Sequence, residues 1–313
     1  MTSSLAFVFP GQGSQSVGML AELAAANPLV RQTFEEASAG AGVDLWALSQ
    51  EGPEDALNRT ENTQPALLAA SVAVWRLWRE RGGAPPARLA GHSLGEYSAL
   101  VAAGALSLVD AAALVAERGR LMQAAVPAGV GAMAAIIGGD DAQIAQACAD
   151  VAGDDVVSPA NYNSPGQVVI AGHAAAVDRA IARLAELGVK KSVKLAVSVP
   201  SHCALMRDAA DRLAERMQSI AWSLPSIPVV QNADARAFDD LDAIRGALQR
   251  QLYQPVRWTE CVQALVAGGA ARALECGPGK VLAGLIKRID KSLEARAIGS
   301  AAEFDAALAE TAA

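Results

Sequence analysis

The chain has 313 residues, 52% hydrophobic and 19% charged, with a formal net charge of −7; it is long enough to bury a full core and too apolar to be a disordered segment. The acidic balance, with no long basic stripe, excludes nucleic acid as a natural partner. The cysteines, Cys148, Cys203, Cys261 and Cys276, form no C-x-x-C pair, which argues against a metal knuckle or a disulfide framework and suits a reducing cytoplasmic compartment.

No targeting segment is expected, because the apolar run over residues 5–9 is too short for a signal-peptide core and follows no basic residue. That run, closed by Pro10-Gly11-Gln12-Gly13, reads as a buried strand ending in a glycine loop. A dinucleotide fingerprint would want a third glycine at position 16, where Ser16 stands. The loop is either a plain turn or a cradle of bare backbone N–H groups for a transient anion.

Residues 19 to 80 read as helical, with breaks at Asn27-Pro28 and at Glu51-Gly52-Pro53, and Leu67, Leu68, Val72 and Trp75 form a core face. Alanine-rich stretches near 66–75 and 99–106 stop well short of a membrane span. A strand over 87–90 then leads through Gly91-His92-Ser93-Leu94-Gly95 into a small-residue helix over 95–104. G-x-S-x-G throws a serine out of a sharp strand-to-helix turn, and its glycines let neighbouring backbone approach. Ser93 is thus a candidate nucleophile; the alternative is that it merely caps the helix.

Ser107 to Asp110 begins the next helix, on which Leu114, Arg118 and Leu121 share one face with Met122 beside them. Arg118 on an apolar stripe needs an anionic partner if it is buried: the readings are a structural ion pair, a side chain snorkelling to the surface, or a substrate carboxylate held bidentately. Between 129 and 197 the pattern becomes strand 133–137, helix 140–151, strands 155–160 and 167–171, helix 173–187 and strand 192–197. That β-α-β-β-α-β order predicts a small ferredoxin-like domain inserted into a larger α/β one with a mostly parallel sheet.

His202 follows in Ser198-Val-Pro-Ser-His-Cys203, at or just before a helix carrying Met206, Ala209, Leu213, Met217 and Ile220. A helix N-terminus there would keep the imidazole neutral. His92 adjoins the serine in sequence and would point away from it, while His173 opens a helix and faces solvent, so His202 is the candidate base by elimination. Strands over 227–231, 271–276 and 295–298, with helices over 239–252, 258–267 and 281–288, complete a doubly wound rhythm.

Six stretches in order resemble the freestanding bacterial malonyl-CoA:acyl-carrier-protein transacylases: Phe9 to Gln15, Gly91 to Tyr97, Glu117 to Gln123, Asn161-Tyr-Asn163, Val199 to His202, and Gln251 to Trp258. The resemblance implies an α/β-hydrolase-like domain over 1–128 and 198–313 and the ferredoxin-like domain over 129–197. It implies Ser93 as the acylated nucleophile, His202 as its base, the backbone N–H groups of Gln12 and Leu94 as the oxyanion hole, and Arg118 as the partner of the malonyl carboxylate. The carbonyl of Gln251 would orient the histidine in place of a triad acid, and His92, Met122, Asn161, Asn163 and Ser201 would line the pocket.

Malonyl-CoA is then the substrate and an acidic, phosphopantetheine-bearing acyl carrier protein the acceptor, with no bound cofactor, no metal and no membrane, in a monomer. Lys190, Lys191 and Lys194, or Lys287, Arg288 and Lys291, are candidate docking patches for that acidic partner. Two other readings stay open at this level: a serine thioesterase or esterase, which has no use for Arg118, and a non-catalytic binding module. The pathway served, by fatty-acid or polyketide synthesis or malonate metabolism, is not encoded in these residues.

Overall fold

The computed structural model describes residues 4–127, 129–197 and 199–311. Two sheets organise the chain. Strands β1 (Leu5–Phe9), β2 (Arg88–Gly91), β7 (Val229–Val230), β8 (Arg272–Glu275) and β9 (Glu294–Ala297) form a parallel sheet in the order β7-β2-β1-β8-β9. Strands β3 (Gly131–Ile137), β4 (Val157–Ser164), β5 (Gln167–His173) and β6 (Lys191–Lys194) form an antiparallel sheet in the order β4-β5-β3-β6. The fold is therefore mixed α/β, with one sheet of each kind.

Alternation along β1 explains why both faces of the parallel sheet are covered. Phe7 and Phe9 point into one apolar cluster, with Leu89 and Leu274; Ala6 and Val8 point into another, with Ala90, Ala273 and Ala295. The Thr60–Glu80 helix crosses the first face with almost no exposed side chain, and Trp75 and Trp78 meet Phe7 edge-on at 5.3 and 5.4 Å. Each such aromatic pair adds about 0.5–1.5 kcal/mol beyond the area it buries. The Leu108–Ala125 helix packs beside it and carries Arg118 on its buried face, as the periodicity predicts.

The antiparallel sheet has its own core, with Ile136, Ile144, Val168, Ile170, Val177 and Leu184 fully buried between strands and the Asp141–Ala152 and Ala174–Glu186 helices. It is stitched to the parallel-sheet body by β4: Tyr162 N–H donates to the Val256 carbonyl at 2.9 Å, Val256 N–H to Ala160 at 2.9 Å, and Thr259 Oγ1 to Tyr162 at 3.1 Å. The boundary residues Ala128 and Ser198 lie outside the described residues.

Several elements differ from the sequence expectation. The strand expected over 155–160 starts at Val157 and runs to Ser164, because two bulges against β5 keep the polar Asn161 to Ser164 stretch in the ladder. β6 stops at Lys194, although 197 was expected, and the strand expected over 227–231 is only two residues long, closing into a turn where Gln231 bridges Arg236. After His202 a three-residue 3₁₀ turn, Ala204–Met206, precedes the Arg207–Gln218 helix, so His202 does not sit on an α-helix N-terminus and Met206 is not on the helix. A last helix, Ala301–Thr311, was not expected; Ser300 and Glu303 form its capping pair, and Phe304 and Ala307 are buried. Among the described residues no helix is long and apolar enough to cross a membrane.

Candidate active site

β2 ends at Gly91, and the chain turns at Ser93 into the Gly95–Ala102 helix. Ser93 has φ 52, in the left-handed region that side chains avoid, at a cost of about 1–3 kcal/mol. Two close approaches hold it there. A Cβ on Gly91 would lie 1.9 Å from the Gly95 carbonyl carbon, and one on Gly95 would lie 2.0 Å from the Phe9 carbonyl oxygen. His92 N–H donates to Phe9 O at 3.0 Å, Ser93 N–H to Asn232 Oδ1 at 2.8 Å, and Asn232 Nδ2 to the Gly91 carbonyl at 2.7 Å.

Three side chains meet at one oxygen. His202 Nε2 lies 2.8 Å from Ser93 Oγ, and Arg118 Nη2 donates to the same Oγ at 3.2 Å. His202 Nδ1 lies 2.6 Å from the Gln251 carbonyl. A carbonyl only accepts, so Nδ1 carries the proton and Nε2 is left with its lone pair toward the serine hydroxyl. His202 is 3% exposed and also has a positive φ, 63. Burial first, and then the nearby Arg118 charge, push its pKa down to about 3, so the ring is neutral at pH 7. The neutrality expected from a helix dipole thus has another cause.

Arg118 is 1% exposed. Its Nη1 donates to Gln64 Oε1 at 2.7 Å and its Nη2 to Gln251 Oε1 at 3.0 Å, while its Nε has no partner among the described residues. Tyr97 presents its ring 5.5 Å away. No carboxylate stands within ion-pair distance of the guanidinium among the described residues, so the structural ion pair allowed by the sequence is not formed. The oxygens it bonds, on Gln64, Gln251 and Ser93, are all neutral.

Ser93 opens onto a cavity of about 260 Å³ between the two sheets, walled by Gln12, His92, Met133, Asn161, Asn163, Val169 and Ser201, with Leu195, Val197, Val281, Leu282 and Leu285 among its apolar lining. His92, partly buried, lines the same cavity as Ser93, although the sequence suggested that it would point away from the serine; its Nε2 is 2.8 Å from Asn163 Oδ1, and burial lowers its pKa. Met122 is buried behind the wall, where its sulfur receives Gln64 Nε2 at 3.6 Å, so it shapes Gln64 and does not line the cavity. The backbone amides of Gln12 and Leu94 donate to no other group among the described residues. His173 lies away from the cavity, its Nδ1 accepting from Val156 N–H at 2.9 Å. No group of three His, Cys, Asp or Glu side chains among the described residues could hold a metal ion.

Sequence reasoning missed the layer beneath. Glu96, fully buried, accepts from Asn232 N–H at 2.8 Å and from Gln251 Nε2 at 3.0 Å, and the same Nε2 donates to the Ser93 carbonyl at 2.9 Å. Gln64, Glu96, Asn232 and the Gln251 side chain come from four separate segments. The available signal was polarity out of place: a glutamine and a glutamate inside runs of buried small residues.

Residues 6–304 match the family described as acyl transferase domain. The chain is 58% identical over 308 residues to the malonyl CoA-acyl carrier protein transacylase of Salmonella typhimurium, covering 98% of this chain and 100% of that protein. It is 67% identical, with a TM-score of 0.98 and 99% of each chain covered, to the crystal structure of malonyl-CoA:acyl carrier protein transacylase from Xanthomonas oryzae pv. oryzae. A malonyl-transacylase solved in complex with its type II PKS acyl-carrier protein is 56% identical, with a TM-score of 0.97, covering 98% of this chain and 100% of that one.

Proposed function

The chain belongs to the acyl transferase family, and we infer from its site how it moves a malonyl group from coenzyme A to the phosphopantetheine thiol of acyl carrier protein. One observation carries the reading: a neutral imidazole and a carboxylate-free guanidinium both reach Ser93 Oγ, at 2.8 and 3.2 Å.

His202 Nε2 takes the hydroxyl proton as Ser93 Oγ attacks the thioester carbonyl, and the Gln251 carbonyl steadies the imidazolium that forms. The oxyanion is received by the free amides of Gln12 and Leu94, each donor contributing roughly 3 kcal/mol in such sites. The C–S bond breaks, His202 returns its proton to the departing coenzyme A thiolate, and malonyl-Ser93 remains. The phosphopantetheine thiol then gives its proton to His202, attacks the ester carbonyl, and Ser93 leaves by the reverse path. This is a ping-pong cycle.

Arg118 selects the acyl group. A malonyl carboxylate replaces neutral carboxamide oxygens with a charge-assisted pair, whereas an acetyl group leaves the guanidinium as it was. It also offsets the positive charge that disfavours protonation of His202, so the preference is expected in kcat as well as KM. His92, Asn161, Asn163 and Ser201 form the cavity wall that receives the thioester arm. The thioesterase alternative leaves the buried Arg118 without a task.

We also read the parallel-sheet body as α/β-hydrolase-like and residues 129–197 as a ferredoxin-like insert. The support is the serine elbow after β2 and the order β4-β5-β3-β6 made by a β-α-β-β-α-β chain. For the acidic carrier protein, Lys190 and Lys191 at β6, and Lys287 and Lys291 at the end of the Val281–Ile289 helix, lie on the two segments that also line the cavity. Lys194 is engaged by Asp178 at 2.5 Å and Arg288 by Gln167 at 2.9 Å, which favours the other lysines for docking. Every reacting group comes from one chain, which suits a monomer.

The test is the intact mass after mixing with malonyl-CoA. The expected result is one malonyl adduct, absent in Ser93→Ala, discharged by phosphopantetheinylated carrier protein and stable in buffer. Discharge by water alone would favour a thioesterase.

A further inference from the structure

Glu96 is a buried charge that the reaction as described does not use. Its side chain is 0% exposed and lies one carboxamide away from Arg118: Arg118 Nη2 donates to Gln251 Oε1 at 3.0 Å, and Gln251 Nε2 donates to Glu96 Oε2 at 3.0 Å. Gln251 also carries the carbonyl that orients His202. The guanidinium, the carboxamide and the carboxylate therefore form a chain of hydrogen bonds, and Ser93 is bonded to its first two members.

We propose that Glu96 is the countercharge of the carboxylate site, a positioning residue that acts through Gln251 to restrain the pull of Arg118 on anions and to keep His202 basic. The proposal rests on the malonyl-transfer reading above. With Glu96 ionised, the free site is near neutral, so a malonyl carboxylate is held firmly enough to be selected and loosely enough to be passed on. With Glu96 neutral, the full guanidinium charge faces both the acyl group and the imidazole.

The local geometry makes the decisive substitution an isosteric one. In Glu96→Gln, the side-chain oxygen keeps both bonds now made by Oε2, from Asn232 N–H at 2.8 Å and Gln251 Nε2 at 3.0 Å. The other atom, Oε1, faces Gln231, whose amide reaches it at 3.1 Å when oriented to donate and can instead turn its oxygen toward a new amide. Charge is then removed with the bonds from Asn232 and Gln251 kept, and only the 3.3 Å bond from the Gln231 amide to the Ile244 carbonyl is given up.

Single-turnover acylation of Ser93 by malonyl-CoA, followed at pH 8, is the experiment. Burial raises the Glu96 pKa to about 7, so wild type is ionised there. Glu96→Gln is expected to lower the half-saturating malonyl-CoA concentration about 10-fold, the scale of one unit charge acting across a few ångströms of protein, and to lower the maximal rate. A merely structural role moves neither, and a damaged site raises the half-saturating concentration; either result overturns the proposal.

A second measurement needs only wild type. Free malonate binding at pH 7, by calorimetry in buffers of different ionisation enthalpy, is expected to take up protons, because an anion on Arg118 weakens the field that keeps Glu96 ionised. The groups around Glu96 do not compete: His202 at about 3, His92 lowered, Tyr97 at about 12 and Cys261 raised all hold their state, and Asp234 is paired with Arg250. No proton uptake overturns the proposal. Absence of a malonyl-Ser93 adduct in wild type would instead sink the transfer reading, so the two failures are separable.

Discussion

The two sheets meet at one cavity and serve it in opposite ways. On the parallel side, Ser93, His202, Arg118 and Gln251 are each fixed by two or more bonds, and backbone segments approach so closely at Gly91 and Gly95 that no side chain fits. On the antiparallel side, β3, β4 and β5 contribute wall residues, Met133, Asn161, Asn163 and Val169, and the chain after the edge strand β6 leaves Leu195 and Val197 partly exposed at the cavity. Bond-making needs atoms held to a fraction of an ångström, whereas accommodating a long flexible thioester needs only a complementary wall. On the transfer reading the parallel side would carry the chemistry, and the antiparallel side, itself close-packed away from the cavity at Gly172, would shape access to it.

The sharpest way to break this contrast is to add one carbon on each side. Gly95→Ala forces a Cβ to 2.0 Å from the Phe9 carbonyl, and is expected to cost about 3 kcal/mol or more, seen as loss of folded protein or a large drop in denaturation midpoint. Gly166→Ala, in the turn between β4 and β5, meets open space and strains only a φ of 73, so about 1–2 kcal/mol is expected. Equal costs would mean that the chain at Gly95 yields as readily as an open turn and does not hold the serine loop in place.

Activity should divide along the same line. Arg118→Ala is expected to reduce the malonyl-to-acetyl ratio of kcat/KM by about 10²-fold, the scale of losing a charged hydrogen-bonding partner in a buried site. Asn163→Ala, on the wall, is expected to raise KM by about 3- to 10-fold and leave that ratio unchanged, the size of one neutral hydrogen bond. If Asn163→Ala changed the ratio as much as Arg118→Ala, selection would not reside on the parallel side alone.

A further effect concerns pH. The folded pKa of His202, about 3, lies below the 6.5 of a free imidazole, so the folded state binds fewer protons than the unfolded one. The stability this group contributes is present above 6.5 and is lost as pH falls toward 3. Denaturant titrations from pH 7 to pH 4 should show a steeper loss for wild type than for His202→Gln. Parallel curves would mean that the ring is not held neutral by burial.

Much of the site was legible because its members are chemically scarce. Ser93 sits in a pattern that only a sharp turn explains, and three histidines leave few choices of base. Arg118 was legible from periodicity, since an arginine on an apolar stripe must be answered by something. What replaced the ion pair was not legible, because Gln64, Glu96 and Gln251 on three helices and Asn232 in the turn after β7 are brought together by tertiary packing and not by any local pattern. Met122 shares Arg118's helix face but lies one layer deeper than the cavity, a distinction that periodicity cannot draw. For the fold, alternation located most strands, while β4 hid its last four residues behind polar side chains held in register by bulges. The final helix did carry a signal, Ser300 and Glu303 three residues apart, which the alanine-rich sequence around them masked.

The most direct measurement is a crystal structure of the malonyl-Ser93 intermediate, trapped in the absence of carrier protein. The account predicts the malonyl carboxylate on the Arg118 guanidinium, with the ester carbonyl oxygen against the amides of Gln12 and Leu94. A carboxylate turned toward the cavity mouth, with Arg118 still bonded only to Gln64, Gln251 and the serine oxygen, would contradict it.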